Sequence, residues 1–336
     1  MTENLFDKNC YNNSIPGYTR ANSTFNHGLY VNGDFNNDGA NYYTNGPVTM
    51  SGNIYMRDAT TPHLRSGGFL NNNLWASNTA IYDFGRPNAS LTYSITNDVY
   101  LENIDQPGVS IYTSMDGWGI RSFQQYNAYT TNFAAGSVTI SNNIFANSLA
   151  TNYNGFAVGI MGAQAFPMPA PIKFFNNIVY MWNYGPGGMV GLHSPIWDQT
   201  NGGSGSVLTP NQVYLGPSNQ YNTVADPTIF PNPTASIESY AGTIGLTATL
   251  DGFLTAARAQ SKDTWNPALA AAAVNNYVRV GFGMNSSTTS TSSTGTTSTG
   301  TTRTGTTSTG TTSTGKTSAG TTSTGTTSTV TEPDLA

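Results

Sequence analysis

The sequence predicts an all-β fold: a right-handed parallel β-helix, a solenoid with a small C-terminal α-helical cap and a disordered tail. Three observations carry this. A phrase of the form apolar-x-Asn-Asn-apolar-aromatic recurs along the chain, the apolar spacing turns helical near residue 250, and residues 285–331 are almost wholly Thr, Ser and Gly.

The phrases are Met50-Ser51-Gly52-Asn53-Ile54-Tyr55, Leu70-Asn71-Asn72-Asn73-Leu74-Trp75, Ile95-Thr96-Asn97-Asp98-Val99-Tyr100, Ile140-Ser141-Asn142-Asn143-Ile144-Phe145, Phe174-Phe175-Asn176-Asn177-Ile178-Val179 and Thr209-Pro210-Asn211-Gln212-Val213-Tyr214. Their fourth positions are 20, 25, 45, 34 and 35 residues apart. The interval of 45 fits two coils, with a weaker phrase, Gly117–Phe123, inside it. The longer intervals carry Gly/Pro-rich stretches that read as loops inserted into a shorter coil. Apolar side chains on alternate strand positions would stack on their counterparts in neighbouring coils. The corner between strands needs a residue that tolerates the left-handed backbone region, and Asn does so at low cost. These asparagines are therefore read as corner pieces, Asp98 among them.

Residues 1–245 are assigned to the β-helix. Residues 1–45 show no obvious cap, which suggests missing upstream coils. Residues 246–284 are assigned as a helical cap over the open end. Leu250–Gln260 has apolar residues at helical spacing, and a second helix starts near Pro267 and runs through Ala268–Val280. Residues 285–336 repeat Thr-Ser-Thr-Gly-Thr and have nothing apolar to bury, so they read as a disordered stalk or linker.

Charged residues are only 9% of the chain and the net charge is −5, so no basic field exists to hold nucleic acid. The single cysteine, Cys10, excludes an intrachain disulfide. No apolar run is long enough to span a membrane. The N-terminus lacks the basic and apolar regions of a signal peptide.

The Asn-Asn phrases, the strand Asn26-His27-Gly28-Leu29-Tyr30-Val31 and the closing stretch Asp251–Gly283 resemble the right-handed parallel β-helix repeat (pectate-lyase-like) superfamily. That superfamily includes pectate lyases, polygalacturonases, alginate lyases and phage tailspikes. The resemblance covers about residues 20–283 and speaks to fold, which hosts lyases, hydrolases, epimerases and non-enzymatic adhesins. It implies a secreted or cell-surface protein that acts on or binds an acidic polysaccharide. A lyase acting by β-elimination and a non-catalytic adhesin, filament part or phage-like receptor-binding solenoid both stand open.

A lyase needs a base for the proton α to a uronate carboxylate, and a cation to neutralise that carboxylate. The candidates are His27, His63, Arg65 and Arg121, with His63 and Arg65 one coil after His27 and Arg121 extending the row. The structural alternative has the arginines bonding corner carbonyls and the histidines solvated. A hydrolase needs paired carboxylates, but no Asp-Asp dipeptide occurs. Asp34-Phe35-Asn36-Asn37-Asp38-Gly39 matches the opening of a calcium loop, with Asp34, Asn36 and Asp38 as Ca²⁺ ligands. Position 12 of that loop is Asn45 rather than an acid, and the alternative is an ordinary Asn/Gly-rich surface loop. Asp116, Trp118 and Trp197 lie in loop-like stretches, near His193 and Asp198, where an aromatic beside a polar group suits either sugar stacking or loop packing.

Overall fold

The computed structural model describes residues 1–8, 29–31, 47–58, 63–64, 67–78, 83–85, 92–104, 119–121, 123–124, 137–149, 158–160, 172–182, 196–198, 213–215, 218–222 and 226–284. Within them, short strands form four sheets, and every strand pairing is parallel. Strands consecutive in sequence fall in different sheets, and the two largest sheets grow by one strand per repeat. The stepwise growth of the two largest sheets is consistent with a parallel β-solenoid.

The largest sheet has seven strands in the order Leu5–Asp7, Ile54–Met56, Leu74–Ala76, Val99–Leu101, Ile144–Ala146, Ile178–Tyr180 and Gln220–Asn222. A six-stranded sheet stacks Val48–Ser51, Gly68–Asn71, Tyr93–Thr96, Val138–Ser141, Ile172–Phe175 and Val213–Leu215. A four-stranded sheet holds Tyr30–Val31, His63–Leu64, Asp83–Gly85 and Phe123–Gln124, and a three-stranded one Ile120–Arg121, Val158–Ile160 and Ile196–Asp198. One apolar core joins residues of these sheets, among them Met50, Leu70, Ile95, Ile140 and Phe174 from the six-stranded sheet, with Leu64 and Ile120. The middle residues of the seven-stranded sheet enter the same core as a ring stack. Centroid separations are 4.7 Å for Phe6–Tyr55, 4.0 Å for Tyr55–Trp75, 5.9 Å for Trp75–Tyr100 and 4.4 Å for Tyr100–Phe145. Parallel register forces this stacking, because each position recurs directly beside its counterpart.

The corner between the two large sheets behaves as expected. Asn72, Asn97, Asn142 and Asn176 take positive φ near 58°, the left-handed region. The residue after each builds a buried ladder. Asn143 shows the pattern: its Oδ1 accepts from Asp98 N at 2.9 Å, and its Nδ2 donates to Ile95 O and to Asn177 Oδ1, each at 3.0 Å. The rungs run Asn4, Asn53, Asn73, Asp98, Asn143, Asn177 and Asn219.

That ladder corrects three expectations. The phrase ending Val213-Tyr214 is misplaced: Val213–Leu215 pairs with Ile172–Phe174, before the corner, and the corner rung is Asn219. The interval of 45 is one repeat with a long insertion rather than two coils, since Val99 pairs directly with Ile144. Residues 1–45 contain a repeat that went unread: Asn4-Leu5-Phe6 continues the phrase, and Leu5 pairs with Ile54.

The C-terminal helices also start and sit differently from expectation: the first begins at Ile237, inside the residues assigned to the β-helix, where Ser236 and Ser239 form a capping box. Helix α1 (Ile237–Thr243), α2 (Leu250–Arg258) and α3 (Ala271–Gly281) lie against the outer face of the seven-stranded sheet rather than across its end. Their Ile237, Phe253, Leu254, Val274 and Val278 pack on Ile54, Met56, Leu74, Val99, Leu101, Ile144 and Ile178. Contacts reach strands far apart in the stack. Asn275 Nδ2 donates to Asn72 Oδ1 at 3.0 Å and Asn73 O at 3.1 Å, and an Arg279 Nη donates to Asn142 O at 2.7 Å. At the first strand, nearly buried Asp7 takes a two-pronged pair from Arg57 at 2.6 Å and a second ion pair from Arg258. The helix near Pro267 is interrupted: a 3₁₀ turn, Pro267–Leu269, precedes α3, and extended Ala270 (ψ 154°) separates them.

Candidate functional site

Strand alternation sends every second residue of the six-stranded sheet outward. In register these are Thr49, Phe69, Ser94, Thr139 and Lys173, with Tyr214 at the next position. Thr49, Phe69 and Lys173 are exposed, Ser94 and Thr139 half-buried. A second outward row, Ser51, Asn71, Thr96 and Ser141, runs beside it. Thr96 Oγ1 and Asn97 Nδ2 donate to Asn71 Oδ1 at 3.2 and 2.8 Å, which ties the rim of this face together. The described side chains of this face thus offer hydroxyls and amides at one-strand intervals, an aromatic platform at 41% exposure and the Lys173 cation. It can hydrogen-bond and stack along a linear ligand. Its described side chains supply neither an acid–base pair nor a nucleophile with a base.

The sequence candidates fall as follows. His63 is in the four-stranded sheet, where register sets it between Tyr30 and Asp83. Arg121 is in the three-stranded sheet, opposite Gly159, and Trp197 is opposite Gly159 on the other side. Register therefore aligns Arg121 and Trp197 in one row two strand steps apart, and separates Arg121 from the row of His63. His27, Arg65, Asp34, Asn36, Asp38, Asp116, Trp118 and His193 lie outside the described residues. Among the described residues no group of three or more His, Cys, Asp or Glu could hold a metal ion.

The most perturbed acid is Asp98. It is fully buried, and burial pushes its carboxyl up to about 7 against hydrogen bonds from Asn73, Trp75 and Tyr100. Asn73 N donates to Oδ1 at 2.7 Å, while Trp75 Nε1 and Tyr100 OH donate to Oδ2 at 3.2 and 3.3 Å. These two donors explain an acid in a ladder of amides: an amide nitrogen at the Oδ2 position would meet the indole N–H donor to donor. Tyr100 is pushed up by burial and then by Asp98. A site closed to solvent cannot meet a polymer, so Asp98 is a structural rung. Glu102 is also raised to about 7, by burial and then by the charge of Glu238 on α1.

Sequence reasoning missed the outward row of the six-stranded sheet. The available signal was strict alternation: Val48-Thr49-Met50-Ser51, Tyr93-Ser94-Ile95-Thr96 and Val138-Thr139-Ile140-Ser141 each put hydroxyls on one face. Comparison with protein-family models, curated proteins and solved structures yields no match to this chain.

Proposed function

We propose that the chain is a right-handed parallel β-helix of the pectate-lyase-like kind, secreted or held at a cell surface, that binds an acidic polysaccharide along the open face of its six-stranded sheet. The observation that carries this reading is the in-register outward row Thr49, Phe69, Ser94, Thr139 and Lys173. Parallel strands about 4.8 Å apart present similar groups at a fixed step, which suits a repeating polymer. Phe69 provides a stacking surface, hydroxyls pair with sugar hydroxyls, and Lys173 meets a carboxylate. The resemblance to polysaccharide-acting solenoids supports the same ligand class.

Binding without turnover is favoured over β-elimination by one observation: His63 and Arg121 stand in different sheets. The chain then serves as an adhesin, filament or receptor-binding module, with residues 285–336 as its stalk. The lyase reading retains His27, His63 and Arg65 as catalytic residues, Asp116, Trp118 and Trp197 as sugar contacts, and Ca²⁺ on Asp34, Asn36 and Asp38. Incubation with pectate, alginate and hyaluronan with Ca²⁺, followed at the unsaturated-uronate absorbance, tests it. Affinity electrophoresis in the same polymers reads binding. Retardation without an absorbance rise supports binding alone. An absorbance rise that His63→Ala abolishes restores the enzyme, and no retardation in any polymer contradicts the proposal.

A further inference from the structure

A pocket of about 570 Å³ opens between the first corner of the stack and the helices that cover the seven-stranded sheet. Leu5, Ile54 and Leu269 give it apolar lining, and Glu3, Gln260 and Trp265 bring polar and aromatic groups to it. Among the described side chains, no Lys, Arg or His lines it. Its size falls within the usual range for small-molecule sites, about 300–1,000 Å³.

Two features set this pocket apart from ordinary packing. Trp265 is 44% exposed, yet the segment that carries it is fixed on both sides. Ser261 and Thr264 form a reciprocal cap before it, and after it Asn266 N donates to Gln260 Oε1 at 2.7 Å while Asn266 Oδ1 accepts from Ala268 N at 3.0 Å. A wide indole held open to solvent on a braced turn is a preorganised platform. The second feature is Glu3. It takes φ 56° at the corner position that Gly52, Asn72, Asn97, Asn142, Asn176 and Ser218 fill in later repeats. Glu3 replaces the glycine or short polar residue of the other first corners and brings a carboxylate to the pocket.

We infer that this pocket binds one end of an uncharged oligosaccharide, with the sugar ring stacked on Trp265 and its hydroxyls donating to the Glu3 carboxylate. A pyranose ring offers an apolar C–H face to the indole and adjacent O–H donors to an ionised acceptor. The Glu3 carboxylate in the pocket lining opposes uronates and sulfated sugars. Its preference is thus opposite to that of the Lys173 face, and the inference is independent of the polymer reading above.

The test is calorimetric titration of the full chain with cellobiose, lactose, maltose and N,N′-diacetylchitobiose, and with trigalacturonate as the anionic comparison. At least one neutral disaccharide is expected to bind with a Kd on the order of 1 mM. Trp265→Ala should weaken that binding about tenfold or more and Glu3→Gln about fivefold, as for a stacking anchor and one charge-assisted contact. Both side chains face solvent, so thermal midpoints should hold, and trigalacturonate binding should be unaffected by either change. The inference is overturned if no neutral disaccharide binds at roughly 20-fold that concentration, or if binding survives Trp265→Ala undiminished.

Discussion

The seven-stranded and six-stranded sheets share one interior but present opposite outer faces. On the seven-stranded sheet the outward residues are Ile54 and Met56, Leu74 and Ala76, Val99 and Leu101, Ile144 and Ala146, all buried under the helices. On the six-stranded sheet they are Thr49, Ser94, Thr139 and Lys173, with Phe69 a large apolar side chain left in the open. The difference is written in the strands themselves. Strands such as Ile54-Tyr55-Met56 and Ile144-Phe145-Ala146 are apolar throughout, the pattern of a parallel strand buried on both faces. Strands such as Val138-Thr139-Ile140-Ser141 alternate, the pattern of a face left to solvent. One face is consumed by stability, and the other is left open to solvent.

Opposed substitutions break this comparison most sharply. Phe253 on α2 is fully buried in the helix–sheet interface, so Phe253→Ala should cost about 3–5 kcal/mol in urea unfolding. Phe69→Ala, on the open face, should change stability by no more than about 0.5 kcal/mol. Comparable losses at the two positions would mean that the faces are not different in kind.

The corner shared by the two sheets gives a somewhat smaller effect. Asn143→Ala strips the acceptor from Asp98 N and a donor from Ile95 O, both buried, and leaves Asn177 Oδ1 with the Asn143 N–H alone. Leaving such groups unpaired should cost about 3 kcal/mol, again by urea unfolding. A loss near zero would show that the ladder is decorative.

Asp98 provides the third test, through pH. Its folded pKa, about 7, lies above the ordinary carboxylate value of 3.8, so the folded state holds the proton that the unfolded state releases between those values. Stability from this group is complete below about pH 4 and is lost as pH rises through 7, at up to about 1.4 kcal/mol per pH unit. Glu102, raised for burial and the nearby Glu238, adds a slope of the same sign. Asp98→Asn should flatten the decline and Asp98→Asn with Glu102→Gln should flatten it further, read as urea midpoints from pH 4 to 8. An unchanged slope in the double variant would assign the decline to other groups.

Much of the fold was legible because its corner is chemically narrow. A left-handed residue followed by a buried amide rung leaves few choices, and the sequence repeats them as Asn-Asn. The second corner of each repeat was not legible. Arg57, Ser77, Glu102, Asn147 and Met181 all take positive φ there, so no residue type marks it. Its own ladder, in which Asp58 N donates to Asn78 Oδ1 at 2.8 Å and Asn78 Nδ2 to Tyr55 O at 3.0 Å, was therefore missed. The first repeat escaped because Glu3 replaces the corner Asn, although Asn4-Leu5-Phe6 kept the rest. Helices α2 and α3 were legible as helices from their spacing, α1 was not, since Ile237–Thr243 falls within the residues assigned to the β-helix, and the docking of all three went unread. That information lay in the outward apolar residues of the seven-stranded sheet. Of the candidate site, register places His63, Arg121 and Trp197, and the open row went unread because Thr and Ser look alike whether they serve turns or a face.

The central claim is that the open face of the six-stranded sheet is the recognition surface, and peptide-resolved hydrogen exchange with and without a pectate oligomer tests it most directly. Protection is expected on peptides spanning 47–51, 67–71, 92–96, 137–141 and 172–175, with none on α1 to α3, and Lys173→Ala with Phe69→Ala should remove it. Protection confined to the helices, or equal protection in the double variant, would contradict the account.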